Sequence, residues 1–178
     1  EMRRSAKAVN FGIVYGISPF SLSQDIGVTT AEAKAYIDGY FAAFSGVRQY
    51  MDEVVARAKE DGFVETLFHR RRDLPELKSS KFNLRSFGER VALNMPIQGT
   101  AADVMKLAMI AVWKRLRAEG VEARLVLQVH DELIVECRAS EAETVAKLLE
   151  EEMENVVHLS VPLIAEAHWG RNWLEAKG

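Results

Sequence analysis

Four residues near the start of the chain, two cations followed by two aromatics, recur at intervals of four: Arg3, Lys7, Phe11 and Tyr15. Residues four apart lie close together on one face of an α-helix, so a helix here would align the four side chains in a stripe about 18 Å long. An arginine side chain can donate two hydrogen bonds to phosphate oxygens at once, and a lysine can attract a phosphate as a point charge. Aromatic rings can contact sugars and bases. The stripe suits a nucleoside triphosphate, although an ordinary amphipathic helix with two solvated cations and two core aromatics has the same spacing.

A second cluster of reactive side chains is the run His130-Asp131-Glu132, which separates two β-rich segments, 124–129 and 133–137. Two such segments joined by a short polar run predict a β-hairpin with both carboxylates at its tip. Rigid strands hold side chains in place, and Mg²⁺ prefers carboxylate and phosphate oxygens as ligands. One interpretation is a metal site; the other is that Asp131 serves the turn itself.

Basic residues are concentrated in the middle of the chain. Residues 66–90 contain seven cations and three anions. The run 69–72, His-Arg-Arg-Arg, lies between two segments, 63–68 and 73–77, that predict a small hairpin. Cations at a hairpin tip are suited to hold a phosphate backbone. A triple-arginine loop is equally typical of a solvated turn.

Helix start and stop signals divide the first 62 residues into helices. Gly16, Gly27 and Gly62 are placed to end helices, and Thr29 or Thr30 is placed to begin one. Apolar residues between 30 and 44 repeat with the helical period, and no strand pattern occurs before residue 63. We therefore predict a first lobe made only of helices.

Helices and hairpins alternate in the rest of the chain. Pro96 and Gly99 are expected to interrupt or kink a helix that begins near residue 84, and Thr100 is expected to cap a new helix over 101–119. After the second hairpin we predict a helix over 141–157 capped by Ser140, with the acidic run 150–152 on a solvated face. An edge strand is predicted over 161–167, around Pro162.

The composition is that of a globular protein. The 178 residues are 48% hydrophobic and 28% charged, and the net charge of −3 does not by itself indicate a nucleic-acid binder. No apolar run approaches 18 residues and no basic-then-apolar leader begins the sequence. The lone Cys137 excludes an internal disulfide, fits a reducing compartment and is expected to pack in a strand. Because Glu1 lies almost inside a predicted helix, we expect a fragment of a longer chain.

Four motifs together resemble those of one enzyme family. The pattern RxxxKxxxFxxxYG at 3–16 resembles motif B of the family A DNA polymerases, and QVHDEL at 128–133 resembles their motif C. GxVxT with three arginines at 62–72, and RxxxNxPxQGTAAD at 90–103, also match, in the family's order. The likeness extends over essentially the whole chain and is greatest to the bacterial members.

The resemblance implies an α+β fold, as part of a right-hand polymerase. Residues 1–62 would form the helical fingers, which begin at the motif B helix. Residues 63–178 would form much of the palm, with an antiparallel β-sheet, packed helices and a C-terminal helix and strand.

The resemblance also implies a role for each matching residue. Arg3 and Lys7 would contact the incoming triphosphate, Phe11 would lie against its sugar, and Tyr15 would stack at the template-base position. Asp131 resembles the metal-binding aspartate of motif C, with Glu132 as an accessory ligand, so the implied catalytic residues are Asp131, Glu132 and Lys7. The implied DNA-binding residues are Arg70, Arg71, Arg90, Asn94, Gln98, Gln128 and His130.

The implied activity is template-directed DNA synthesis in replication or repair, with transfer of a nucleotide from a dNTP to a primer 3′-hydroxyl. Two Mg²⁺ ions would clamp the attacking hydroxyl and the pyrophosphate leaving group. The implied partners are primer-template DNA and dNTP, without a membrane, and the intact enzyme would be a monomer in the cytoplasm, associated with the nucleoid. The family's motif A supplies a further essential aspartate, and no Asp-Tyr-Ser-type stretch occurs here. We therefore expect these 178 residues to be inactive alone.

Three positions depart from the family's pattern. His69 replaces the usual Gly before the arginines, Asp73 replaces a frequent aromatic, and His168-Trp169 replaces small residues before the last Gly-x-x-Trp segment. Two other functions are compatible with the motifs: a single-subunit RNA polymerase of the same superfamily, and a non-catalytic nucleic-acid-binding module with the polymerase fold. Phe11 and the motif C string favour DNA, and the presence of Arg3, Lys7 and Asp131 favours catalysis.

Overall fold

The computed structural model describes residues 2–177, including all side chains in that range except those of Met2, Arg4 and Ser5. This part of the chain is mostly helical, with two small antiparallel hairpins, as the α+β prediction requires. The helices are α1 (Met2–Val14), α2 (Pro19–Ile26), α3 (Thr30–Ala43), α4 (Ser45–Asp61), α5 (Phe82–Glu119), α6 (Ala142–Asn155) and α7 (Trp173–Lys177). The strands are β1 (Phe63–Glu65), β2 (Arg71–Asp73), β3 (Ala123–Val129) and β4 (Glu132–Cys137), and short 3₁₀ turns occupy Pro75–Lys78 and Ala139–Glu141.

The chain divides into two compact units, one up to Thr100 and the other from Ala101. This division by compactness differs from the functional boundary at 62/63, which stays a prediction. None of the helices in residues 2–177 combines the length and the apolar character needed to cross a membrane.

Helices α1, α2 and α3 share one core in the first unit. Its buried members are Ile13, Leu22, Ala33 and Ile37. The predicted start of α3 is confirmed, because the Thr29 hydroxyl accepts from Glu32 N at 3.2 Å while the Glu32 carboxylate accepts from the Thr29 hydroxyl and N–H. These bonds, first from the hydroxyl and then from the backbone, hold the pKa of the Glu32 carboxyl below its usual value.

A second core of the first unit joins α4, the β1–β2 hairpin and the first part of α5. Ala58, Val64, Leu74, Leu77 and Ala92 are its buried members. The hairpin register runs from Phe63 opposite Asp73 to Glu65 opposite Arg71, so the hairpin is shorter than the sequence predicted. Residues 75–78 form a 3₁₀ turn where the sequence suggested the end of a strand.

The loop of this hairpin is organised by Thr66, whose side chain is 4% exposed. The Thr66 hydroxyl oxygen accepts from Phe68 N at 3.2 Å and from Arg70 N at 3.1 Å. Thr100 Oγ1 accepts from Leu67 N at 3.0 Å, which ties the loop to α5. A Cβ at Gly99 would lie 2.7 Å from Thr66 Cγ2, so only glycine permits this approach.

Helix α5 continues through Pro96, so the predicted interruption is wrong, while the alternative of a kink stays a prediction. Pro96 removes one backbone donor, but the helix packs in the cores of both units, with Ala92 and Val112 fully buried. Thr100 is therefore inside the helix and caps nothing. Its hydroxyl donates to Pro96 O at 2.5 Å.

The second unit packs α6 and the β3–β4 hairpin against the last part of α5. Val112 and Leu116 of α5 meet Val145 and Leu148 of α6 in its core. The strands pair antiparallel from Ala123 opposite Cys137 to Val129 opposite Glu132, with an irregularity between Leu125 and Leu127. Cys137 ends β4, as predicted for a residue packed in a strand, and burial followed by the nearby Glu141 carboxylate raises the pKa of its thiol.

The beginning of α6 also differs from the prediction. The helix runs over Ala142–Asn155 rather than 141–157, and no side chain caps its first turn. Ser140 instead lies in the preceding 3₁₀ turn.

The acidic run of α6 is not merely a solvated face. Glu150 accepts from Ala167 N at 2.8 Å, and Arg115 of α5 pairs with Glu152 at 3.3 Å and with Glu151 at 3.9 Å. These carboxylates position the segment after α6 and join α6 to α5.

The edge strand predicted over 161–167 is absent, and that part of the prediction is wrong. The N–H groups of Ala165 and Ala167 donate to Glu154 and Glu150 at 3.1 and 2.8 Å, not to another strand. The segment is extended beside α6 and is held by side-chain carboxylates. A strand requires a backbone partner, which the sequence pattern alone cannot supply.

We expect Thr66→Val to lower the free energy of unfolding of the first unit by about 1–3 kcal/mol, because valine keeps the shape but leaves two loop N–H groups without their acceptor. Urea denaturation of the 178-residue chain measures the change. Thr144→Val, on the exposed surface of α6, is the matched control and should change the value by less than about 0.5 kcal/mol. Equal effects of the two substitutions would contradict the role of Thr66.

Candidate functional site

The predicted stripe is present on α1. Arg3 and Lys7 are exposed, Lys7 Nζ lies 5.7 Å from the centre of the Phe11 ring, and the Phe11 and Tyr15 rings are stacked with centroids 6.3 Å apart. Phe11 is 52% exposed, so it is not a core aromatic, while Ile13 on the other side of the helix is buried. No ion pair joins Arg3 or Lys7 to another described side chain, which leaves both cations available to an anionic ligand.

The end of α1 lies against α5. Gln98 Nε2 donates to Tyr15 Oη at 2.8 Å. Gly16 has a φ of 73°, and a Cβ there would be 3.1 Å from Leu93 Cδ1. Glycine is required at this position by the backbone conformation and by the close approach. The structure thus brings the end of the stripe to Gln98, 83 positions further along the chain, which spacing alone did not predict.

Three predicted DNA-binding residues, Arg90, Asn94 and Gln98, follow one another at intervals of four on α5. Arg90 and Gln98 are exposed, and Arg90 Nη1 donates to Ser86 Oγ at 3.1 Å. Asn94 Oδ1 is buried and accepts no hydrogen bond from the described residues. A buried acceptor without a donor is costly, so Asn94 is suited to accept from a ligand or a water molecule.

The cations of the β1–β2 hairpin are exposed. Arg71 lies over the Phe63 ring at 3.8 Å and its Nε pairs with Asp73 at 2.8 Å, so the unusual Asp73 orients an arginine. Arg70, the other predicted DNA-binding residue here, is exposed beside it. His69 has a φ of 61°, a left-handed conformation that favours glycine and explains the glycine of the family pattern at this position.

The His130-Asp131 turn joins β3 to β4, as the sequence predicted. Its closing pair is Val129 and Glu132, and His130 is in the left-handed region with a φ of 53°. Gln128 Nε2 donates to His130 O at 2.6 Å and so braces the turn from within β3. Gln128 therefore has a structural contact in addition to its predicted contact with DNA.

The two carboxylates at this tip differ in their surroundings. Asp131 is exposed and forms no ion pair with the described residues of its unit. Glu132 Oε1 lies 3.2 Å from Lys177 Nζ. This pair was not predicted, because Lys177 belongs to α7, 45 positions further along the chain.

A Mg²⁺ ion takes six oxygen ligands and usually retains several waters. Asp131 and Glu132 supply neighbouring carboxylates of the right chemistry. Within residues 2–177, however, no group of three or more His, Cys, Asp or Glu side chains is placed to hold an ion. The pair fits part of a magnesium site that further oxygen ligands would complete.

Known proteins match this chain both in sequence and in structure. A sequence model described as DNA polymerase family A matches residues 1–175. The DNA polymerase I of Streptococcus pneumoniae (strain ATCC BAA-334 / TIGR4) is 55% identical over 175 residues, which are 98% of this chain and 20% of that protein. The DNA polymerase I of Geobacillus stearothermophilus is 56% identical over 176 residues, 99% of this chain and 20% of that protein.

A solved structure is also similar over the whole chain. It is the POL domain of Pol1 from M. smegmatis in complex with DNA primer-template and dNTP. The TM-score is 0.96 at 44% identity, over 100% of this chain and 31% of that one. The chain thus spans about a fifth of the length of the curated relatives named above.

Proposed function

Because the chain belongs to DNA polymerase family A, we propose that it forms the fingers and part of the palm of a DNA polymerase I. The intact enzyme would transfer nucleotides from dNTPs to a primer 3′-hydroxyl under the direction of a template. Residues 1–62 would be the fingers and 63–178 the palm. We place the enzyme in the cytoplasm at the nucleoid, as a monomer that acts in replication or repair.

The observation that carries this proposal is the meeting of α1 and α5 in the first unit. The hydrogen bond from Gln98 to Tyr15, at 2.8 Å, places the ring end of the stripe beside the α5 residues proposed to contact DNA. A polymerase needs this adjacency, because the incoming nucleotide must pair with a template base next to the primer end. An ordinary amphipathic helix would also have solvated cations, but it would bury its aromatics, and Phe11 is 52% exposed.

Each residue of the stripe has a role that follows from its position. Arg3 would donate two hydrogen bonds to the terminal phosphate oxygens. Lys7 would neutralise charge on the neighbouring phosphates and on the departing pyrophosphate. Phe11 would lie against the sugar, since its ring is exposed beside Lys7. Tyr15 would stack at the template-base position, where Gln98 fixes the direction of its hydroxyl.

The proposed DNA contacts are mostly to shape and backbone. Arg70 and Arg71 would hold phosphates from the tip of the β1–β2 hairpin. Arg90, Asn94 and Gln98 would lie along the primer or template near the reacting end, and the unsatisfied Asn94 Oδ1 would accept a hydrogen bond there. Gln128 and His130 would approach the primer terminus from the β3–β4 tip. Such contacts suit synthesis that is independent of sequence.

Family A polymerases use Mg²⁺, and in this chain Asp131, with Glu132 as an accessory ligand, would hold it. The ion would act as a Lewis acid on the phosphate and lower the pKa of the attacking hydroxyl. Asp131 and Glu132 alone supply too few oxygens for two ions. The sequence also contains no motif A aspartate, so the 178 residues would be inactive without that segment.

The proposal is tested with a chimera in which this chain replaces the matching segment of the Geobacillus stearothermophilus enzyme. We expect the chimera to extend a primer with dNTPs and to use rNTPs far less well, and we expect the 178-residue chain alone to show no extension. Gel analysis of a labelled primer measures both. An inactive but folded chimera would contradict the proposal, preference for rNTPs would favour the RNA polymerase alternative, and extension by the chain alone would refute the need for motif A.

Lys7→Ala in the chimera should lower kcat/KM for dNTP by about 10- to 100-fold, because a charge-assisted contact with phosphate is lost. The dissociation constant for primer-template duplex should change by less than about 2-fold, since the residue is assigned to the triphosphate. Lys34→Ala removes a lysine that pairs with Asp38 on α3 and is the control for loss of a surface charge. Equal losses in nucleotide use and duplex binding would contradict the assignment.

Phe11→Tyr should ease incorporation of nucleotides that lack the 3′-hydroxyl, because the added phenol supplies a hydrogen bond that the sugar no longer makes. We expect the preference for dNTP over ddNTP to fall by about 10-fold, the equivalent of one hydrogen bond. Competition between the two substrates in primer extension measures it. Phe44→Tyr, at an exposed ring between α3 and α4, is the control, and an unchanged ratio in Phe11→Tyr would remove Phe11 from the sugar site.

A further inference from the structure

The last helix, α7, brings a cation to the acidic tip of the β3–β4 hairpin. Lys177 Nζ lies 3.2 Å from Glu132 Oε1 and 5.6 Å from the centre of the Trp173 ring. The aromatic ring lies one turn earlier on the same helix, so it limits the directions that the lysine side chain can take. Lys177 thus reaches Glu132 from a defined position.

The short helix α7 is fixed by its own cap. Glu175 N donates to Asn172 Oδ1 at 3.0 Å, and the Glu175 carboxylate accepts from Asn172 Nδ2 at 2.9 Å and from Arg171 N at 3.0 Å. A Cβ at Gly170 would lie 2.7 Å from Glu175 Cβ and 2.8 Å from Ala176 N, so the loop approaches the helix as closely as glycine allows. These contacts hold α7 in a defined position against the loop that precedes it.

The segment before α7 is held along α6. Ala165 N and Ala167 N donate to the carboxylates of Glu154 and Glu150. The position of Lys177 is therefore defined by a chain of contacts that begins on a helix of the second unit's core. A five-residue helix without these contacts would not be stable.

We infer that Lys177 is a positioning residue that holds the Glu132 carboxylate and so leaves Asp131 as the principal ligand for a divalent cation. This inference rests on the proposed function, because it assigns the tip of the hairpin to the metal site. Lys177 itself touches neither the substrate nor the ion. It acts by engaging one of two adjacent carboxylates and by placing a positive charge beside them.

The alternative is an ordinary surface ion pair. The side chains of Lys177 and Glu132 are 61% and 42% exposed, and such pairs contribute little to stability. A merely structural pair predicts no change in cation binding when it is removed. A positioning residue predicts tighter binding, because Glu132 becomes free to act as a ligand and a repelling charge is lost.

The test measures Mn²⁺ binding to the Geobacillus chimera by electron paramagnetic resonance, without nucleotide or DNA. We expect Lys177→Met to lower the Mn²⁺ dissociation constant by about 3- to 10-fold, while Lys177→Arg, which keeps the charge, stays within about 2-fold of the unaltered chimera. Lys147→Met is the matched control, because Lys147 pairs with Glu143 on α6 at 2.8 Å and is as exposed as Lys177. It should leave the constant unchanged.

A second arm combines Lys177→Met with Glu132→Gln. If Lys177 acts through Glu132, the ratio of Mn²⁺ dissociation constants between the lysine and methionine forms should fall toward one in the glutamine background. An equal ratio in both backgrounds would overturn the inference, as would an unchanged or weakened Mn²⁺ affinity in Lys177→Met alone. Circular dichroism verifies that each variant is folded.

Primer extension separates this inference from the proposed function. We expect Lys177→Met to lower kcat with little change in the KM for dNTP, because the triphosphate contacts lie on α1. A chimera that does not extend primers would refute the proposed function, whatever its Mn²⁺ affinity. A chimera that extends primers and whose Mn²⁺ affinity is the same in Lys177→Met would refute the role of Lys177 alone.

Discussion

The close approach of α1 to α5 is the constraint on which the candidate site depends. Gly16 adopts a positive φ and leaves no room for a Cβ beside Leu93, and one residue earlier Tyr15 accepts a hydrogen bond from Gln98. These contacts fix the end of α1, and the helical period then fixes the direction of Phe11 and the cations before it. A single docking point therefore sets both the stripe proposed to bind the nucleotide and its position relative to the face of α5 proposed to contact DNA.

The two hairpins use the same device at their tips. His69 and His130 both adopt left-handed backbone conformations, which cost L-residues about 1–2 kcal/mol. Hydrogen bonds within each turn compensate: the Thr66 hydroxyl binds the N–H groups of one loop, and Gln128 binds His130 O in the other. Tight, braced turns present charged side chains on short strands, cations on one hairpin and carboxylates on the other.

The local sequence pattern was sufficient to predict the stripe on α1, both hairpins and most helices, because these features depend on residues a few positions apart in the chain. It failed where a distant contact decides the outcome. Helix α5 continues past Pro96 because its residues pack in the cores of both units. The Thr100 hydroxyl accepts a hydrogen bond from Leu67 N, 33 positions earlier, instead of capping a helix. The strand predicted around Pro162 is absent because Glu150 and Glu154 take its N–H groups. Lys177 is also far from Glu132 in sequence, so the pattern of residues around Glu132 could not predict their contact.

The distribution of charge pairs distinguishes groups that complete the fold from groups left for ligands. In the second unit Arg115 engages Glu119, Glu151 and Glu152, so these three carboxylates have a partner within the protein. Asp131 has no such partner among the described residues of that unit, and on α1 neither Arg3 nor Lys7 has one among the residues 2–177. An ion pair at such an exposed charge would add little to the stability of the protein, since water already solvates the charge. The value of such charges lies in what they can bind, and Arg3, Lys7 and Asp131 have the charges that a triphosphate and its metal ion would require.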